Sequence, residues 1–298
     1  MGKVYEALTR AETLSNGPRH SAVETDDPRD VEEVDEAIEP EVESFEEFNF
    51  LRYSLGSGAG MGRSSARAAS GLVRRSKVSP EREVDIDLNR IDPHLVTFFN
   101  SDRGACEQYN KLALTLVSKA AERGFRRVLV ASAEHGDGRT TVALNLACAL
   151  ARARQRVLVV DCDLENPSVA RALGIDCRLG LHESFSDGLA PGAAAIRVRP
   201  FEFNILPARH PIDNPVEVLA APAFWKMLKA FDADHDFILF DSPPLLAPGD
   251  PSLLVRFTDT TLLVIGAGST GSSQLSKAIA PFNQDDILGV VLNRGQHV

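Results

Sequence analysis

From residue 104 onward, short apolar runs alternate with longer stretches whose apolar positions recur at helical spacing. Residues 128–131, 157–160 and 237–240 are uninterrupted apolar runs, the pattern of strands buried on both faces. Phe203–Leu206, residues 260–265 and Ile287–Asn293 bring the predicted strands to six. Helical spacing appears in residues 104–122, with Leu112, Leu116, Val117 and Ala120 in register, and again in residues 142–151. A single helix is predicted to open at Asn214-Pro215 and to carry Val218, Phe224, Trp225 and Phe231 as core positions. Residues 271–282 read as a last helix, and 167–173 and 180–185 as short ones. Strands alternating with helices predict an α/β fold with a doubly wound, mostly parallel sheet.

The first 90 residues break this rhythm. Acidic side chains crowd residues 23–47, and residues 51–82 turn Gly/Ser/Ala-rich and basic. Such stretches have too little apolar surface to form a core and are expected to be a flexible, disordered N-terminal region. Residues 2–12 carry Val4, Tyr5 and Leu8 on one side of a potential short helix that would suit a partner. The expected division is a flexible region at 1–90 and a nucleotide-binding domain at 91–298, with order beginning near Leu88–Asp92.

Composition narrows the function classes. A net charge of −10 argues against a general nucleic-acid partner. Cys106, Cys148, Cys162 and Cys177 form no C-x-x-C pair, so free thiols in a reducing cytoplasm are expected. There is no run of 18 apolar residues and no signal-peptide core at the N-terminus.

Candidate chemistry clusters where predicted strands end. After the 128–131 run comes the loop from Ala133 to Thr140, AEHGDGRT, and then the apolar helix. Gly136 and Gly138 allow the backbone amides to turn inward around a phosphate, and the helix start adds its positive dipole end. Asp137, Arg139 and Thr141 belong to the same candidate nucleotide-binding loop, and Thr140 occupies the place of a Mg²⁺-ligating hydroxyl. The loop deviates from G-x-x-x-x-G-K-[ST] at Ala133, in place of glycine, and at Arg139, in place of lysine. Lysine is a compact point charge, whereas arginine is longer and planar, so binding is expected and rapid phosphoryl transfer is not. The 157–160 run ends in Asp161 and Asp163, and the 237–240 run in Asp241, each at the edge where open α/β sheets bind ligands. Asp161, Asp163 and Asp241 are the candidate catalytic acids, and Thr140, Asp161 and Asp241 the candidate metal ligands. Asp250 follows in a loop that can face the same pocket. Asn293 closes the last strand, where its amide suits an adenine edge or a plain turn equally.

Four segments together resemble the bacterial tyrosine kinases of capsule and exopolysaccharide loci: AEHGDGRTT, VLVVDCDLENP, FNILPARHPIDNPVEVL, and DFILFDSPP with the later VVLNR. These are deviant P-loop NTPases whose wider kin are the partitioning and division-site ATPases. The resemblance spans about residues 92–293. It implies ATP and Mg²⁺ as cofactors, phosphate binding by Gly136, Gly138, Arg139 and Thr140, and base-like or metal roles for Asp161, Asp163 and Asp241. It also implies an integral membrane polysaccharide co-polymerase as activating partner, homo-oligomerisation, and a cytoplasmic place peripheral to the inner membrane. The chain departs from the family at Arg139, at Glu165 and Asn166, and at Asn110 and Ala113, where relatives carry lysine or arginines. Only Tyr5, Tyr53 and Tyr109 occur, so phosphorylation of a terminal tyrosine cluster is not expected. Three readings stay open: a kinase-like ATP-dependent regulator of polysaccharide polymerisation, a weak or inactive pseudo-kinase adaptor, and a positioning ATPase.

Overall fold

The computed structural model describes Pro80 and residues 82–247 and 251–295, so the candidate helix at 2–12 and Asp250 lie outside the described residues. Eight strands form one sheet: β1 Arg82–Asp85, β2 Arg127–Ser132, β3 Val157–Asp161, β4 Ile196–Arg199, β5 Phe203–Leu206, β6 Phe237–Asp241, β7 Thr260–Gly266 and β8 Ile287–Asn293. Their order across the sheet is β1-β4-β5-β3-β6-β2-β7-β8. Every neighbouring pair is parallel except β4 with β5.

The strand side chains divide between two cores with the period of two that a strand imposes. Val128, Val130, Val157, Val159 and Leu239 enter one core, while Leu129, Ala131, Leu158, Val160 and Phe240 enter the other. Both faces of β2, β3 and β6 are therefore covered, which explains why these segments show unbroken apolar runs rather than alternation.

Helices α1 Val96–Phe99, α2 Arg103–Arg123 and α3 Arg139–Arg152 serve the first core. Asp102 caps α2 by accepting from the Ala105 N–H, and Gly124 ends it in the left-handed conformation that glycine adopts most readily. Helix α3 is buried from Val142 to Leu150, and the polar residue within that stretch, Asn145, is fully satisfied. The Asn145 Oδ1 accepts from the Thr97 N–H at 3.0 Å and the Thr97 hydroxyl at 2.8 Å. Its Nδ2 donates to the carbonyls of His94 at 3.1 Å and Thr141 at 2.9 Å. One side-chain amide thus fastens the segment before α2 onto α3.

Short helices α4 Val169–Ala172 and α5 Leu181–Ser186 follow β3. Helices α6 Pro215–Ala220 and α7 Pro222–Lys229 cover the second core with Val218, Phe224 and Trp225. The single helix expected from Asn214 onward is broken at Ala221, whose ψ of 124° is extended. The cause is Pro222, which disfavours a helical residue before it. Helix α8, Ser272–Ile279, lies between β7 and β8.

Two strands beyond the expected six are present, and one pair departs from parallel. β1 and β4 are four residues long and alternate half-buried or buried residues with more exposed charged ones. Short, charged strands of this kind suit a sheet margin, but they fall below the length that makes a run legible in sequence. β1 also brings regular structure ahead of the expected onset near Leu88–Asp92.

Candidate functional site

The register of the sheet assembles the candidate acids. Asp161 at the end of β3 pairs directly with Asp241 at the end of β6, and Val130 of the adjoining β2 also pairs with Asp241. The loop that leaves β2 therefore starts beside both acids. Gly136 and Gly138 take φ of +86° and +97°, values that L side chains rarely adopt. A Cβ on Gly138 would stand 2.0 Å from the Asn293 Nδ2. The close approach is used: Asn293 Nδ2 donates to the Asp137 carbonyl at 2.8 Å, so the end of β8 braces the loop. One of the two Nδ2 hydrogens of Asn293 is thus used by the loop backbone.

Asp137 is buried and is held from two sides. Its Oδ1 accepts from the Thr270 hydroxyl at 2.6 Å, and its Oδ2 from the Glu134 N–H at 3.2 Å. Asp137 thus shapes the loop from within. Thr141 lies in the first turn of α3, half-buried, with its carbonyl taken by Asn145.

Thr140 and the acids form one connected group. The Thr140 hydroxyl donates to Asp241 Oδ2 at 2.6 Å and lies 2.7 Å from the Ser168 hydroxyl. The amides of Ser168 and Val169 both donate to Asp161 Oδ2 at 3.0 Å. The second oxygen of each carboxylate, Asp161 Oδ1 and Asp241 Oδ1, is buried with no hydrogen-bond partner. Burial, and then the charge of Asp241, pushes the Asp161 carboxyl well above the ordinary range. Burial likewise raises Asp241 to about 7, against the opposing pull of the Thr140 hydroxyl and of Arg139. Two crowded buried carboxylates, each with an open oxygen, fit a divalent cation, because a cation removes both the repulsion and the orphaned acceptors. Among the described residues no three His, Cys, Asp or Glu side chains converge as a metal cluster. Such an ion would then need the Thr140 hydroxyl and non-protein oxygens to complete its ligands.

Arg139 does not project from the loop. Its guanidinium folds inward, only 7% exposed, and all three of its nitrogens are hydrogen-bonded. Nε donates to the Ser242 carbonyl at 2.8 Å. Nη1 donates to the Ser132 hydroxyl at 2.6 Å and the Glu134 carbonyl at 2.8 Å, while Nη2 reaches Asp163 Oδ2 at 3.4 Å. Asp163, also buried, has its Oδ1 occupied by the Asn166 N–H at 3.2 Å. Burial raises the Asp163 carboxyl and Arg139 opposes the rise.

The structure thus brings Gly136, Asp137, Gly138, Arg139, Thr140, Thr141, Asp161, Asp163, Asp241 and Asn293 to one edge of the sheet. Sequence reasoning missed Ser132, Ser168 and Thr270, each of which bonds a loop or acid side chain. Ser168 carries a readable signal, a serine directly before a short helix and seven residues past Asp161. Ser132 and Thr270 carry none, since their roles depend on tertiary neighbours.

The sequence profile described as the CobQ/CobB/MinD/ParA nucleotide binding domain matches residues 128–297. The chain is 28% identical over 189 residues to the tyrosine-protein kinase YwqD of Bacillus subtilis, covering 63% of this chain and 80% of that protein. It is 28% identical over 158 residues to the tyrosine-protein kinase wzc of Salmonella typhi, covering 52% of this chain but only 22% of that protein. The crystal structure of the VpsO kinase domain aligns with a TM-score of 0.56 at 27% identity, covering 63% of this chain and 97% of that one.

Proposed function

The chain belongs to the CobQ/CobB/MinD/ParA nucleotide-binding domain family, and from that premise we propose that it binds ATP with Mg²⁺ in the loop between β2 and α3. The observation that carries the proposal is the pair of buried oxygens, Asp161 Oδ1 and Asp241 Oδ1, left without partners beside the Thr140 hydroxyl. Mg²⁺ bound there supplies charge neutralisation for the phosphates.

In this reading Thr140 and Asp241 hold the ion, with Asp161 contributing its open oxygen. The amides around Gly136 and Gly138 receive phosphate oxygens. Asp161 or Asp163 orients an acceptor hydroxyl. Asp163 is the less free of the two, being tied to Arg139 and to the Asn166 amide. Relatives named as tyrosine kinases support phosphoryl transfer as the reaction class. The proposed role is regulation of polysaccharide polymerisation or chain length, in the cytoplasm at the inner membrane, with an integral membrane co-polymerase and through self-association.

A second reading, a nucleotide-binding adaptor with little turnover, is favoured by Arg139. A guanidinium committed to Ser132, Glu134, Ser242 and Asp163 is not free to follow a migrating phosphate. A positioning ATPase has no comparable support from the site.

Incubation of the full chain with γ-labelled ATP and Mg²⁺ separates these readings. Mg²⁺-dependent release or transfer of label that Thr140→Ala abolishes supports the kinase-like reading. Retention of ATP without turnover supports the adaptor. No retention rejects both.

A further inference from the structure

Beside α4 opens a cavity of about 440 Å³ that the nucleotide reading does not use. Its lining carries three arginines, Arg90, Arg171 and Arg209, against one carboxylate, Asp176. This is a local excess of positive charge on a chain whose net charge is −10. Arg90 lies 3.2 Å from Asp176, and Arg209 lies 3.6 Å from Glu183. The Arg171 side chain has no hydrogen-bond or ion-pair partner among the described residues. The floor is apolar, formed by the buried Ala170, Ile175 and Ala208 with the half-buried Cys177.

The wall that bears Arg90 is fixed in place. Gly174 takes a φ of +63°, and a Cβ there would stand 2.6 Å from the Arg90 Cβ and 2.7 Å from its carbonyl oxygen. The Asp92 N–H also donates to the Ala172 carbonyl at 2.9 Å, docking the same segment onto the end of α4. The rim is thus held by the fold, although its guanidinium groups are at the surface.

We propose that this cavity is a second binding site, for a small organic phosphate, separate from the glycine loop. The guanidinium fork matches phosphate oxygens in pairs, and the unpaired Arg171 is the first contact. The apolar floor selects a ligand with a carbon body over the bare inorganic ion, and the volume suits a molecule of sugar or phenyl size. The Cys177 thiol is pushed up by burial to about 11, so it adds no competing negative charge at neutral pH.

Phenyl phosphate is the probe, titrated into the full chain by calorimetry, with inorganic phosphate and phenol as comparisons. Expected is millimolar or tighter affinity for phenyl phosphate, above that for either comparison. Arg171→Ala and Arg209→Ala should each weaken it about tenfold, the usual scale for one charge-assisted contact. Arg103→Ala, an exposed arginine on α2, should change nothing, which excludes a mere effect of net charge. Thr140→Ala should also leave it unchanged, so failure of the nucleotide reading does not touch this result. Bound ligand should slow alkylation of Cys177, read by peptide mass, because that thiol lines the floor. No binding at about 10 mM, an affinity too weak to count as a site, overturns the proposal. So does binding that survives both arginine substitutions, or that Thr140→Ala removes.

Discussion

Arg139→Ala is the substitution from which the loop's energetics follow most directly. It deletes a buried guanidinium that donates to Ser242, Ser132 and Glu134 and pairs with Asp163. Removing one partner of a buried ion pair costs about 3–5 kcal/mol, chiefly because the remaining charge is left uncompensated. Asp163 is 8% exposed on its side chain, so water offers it little relief. Part of the cost is recovered when Asp163 takes up a proton, since burial already raises its carboxyl. The three other acceptors lose roughly 1 kcal/mol apiece, although losses within one network are not additive. A net destabilisation of about 4 kcal/mol is expected, which for a domain of this size lowers the melting temperature by about 10 °C. Thermal and urea unfolding of the full chain followed by circular dichroism measure it. Arg139→Lys should cost less, since it keeps a cation near Asp163 while releasing the Ser242 carbonyl. If the inward fork is what limits turnover, the same lysine variant should hydrolyse ATP faster than the parent protein. A stability change below about 1 kcal/mol for Arg139→Ala would refute the assignment of this side chain as the loop's internal brace.

Three further outcomes follow from the same structure. Asn145→Ala removes a fully buried amide that serves Thr97, His94 and Thr141, and should destabilise by about 2–4 kcal/mol in urea titrations, since the buried Thr97 N–H loses its acceptor. Asp241→Asn should abolish the Mg²⁺-dependent binding of nucleotide yet stabilise the unliganded protein above neutral pH. Its folded carboxyl is raised to about 7, so its favourable contribution is complete below the unfolded value near 3.8 and is lost as pH rises through 7. The variant should flatten that stretch of the stability–pH curve. His235 shows the opposite sign. Its Nδ1 donates to the Phe231 carbonyl and its Nε2 accepts from Asn204 Nδ2, so the ring is held neutral, and burial lowers its pKa. Stability contributed there is complete above about 6.5 and falls as pH drops through the lowered folded value. His235→Phe should remove that acid-side slope, and an unchanged slope would count against a neutral, buried ring.

The central strands and the acids at their ends were legible because burial on both faces leaves an uninterrupted apolar run ending in aspartate. β3 and β6 are such runs, and their register alone places Asp161 against Asp241; β2 is an equally apolar run that ends in Ser132. β1 and β4 were hidden by the opposite circumstance: four residues each at one end of the sheet, with three of the four charged in β1 and two of the four in β4. The break at Ala221 was written in Pro222 but outweighed by the continuous apolar stripe on either side. The glycine loop was legible as a phosphate-binding element, whereas the direction of its arginine was not. Nothing local to AEHGDGRT says that Arg139 turns inward, because its acceptors on β2 and after β6 are supplied by tertiary structure. Asn293 shows the same limit: its position at a strand end was readable, its contact with the backbone of Asp137 was not.

Whether the loop and the paired acids form a Mg²⁺–nucleotide site is decided by calorimetric titration of the full chain with ATP, with and without Mg²⁺. Micromolar to submillimolar affinity that requires Mg²⁺ and disappears in Asp241→Asn is the predicted result. Equal binding with and without the metal, or none at millimolar ATP in a folded protein, would contradict it.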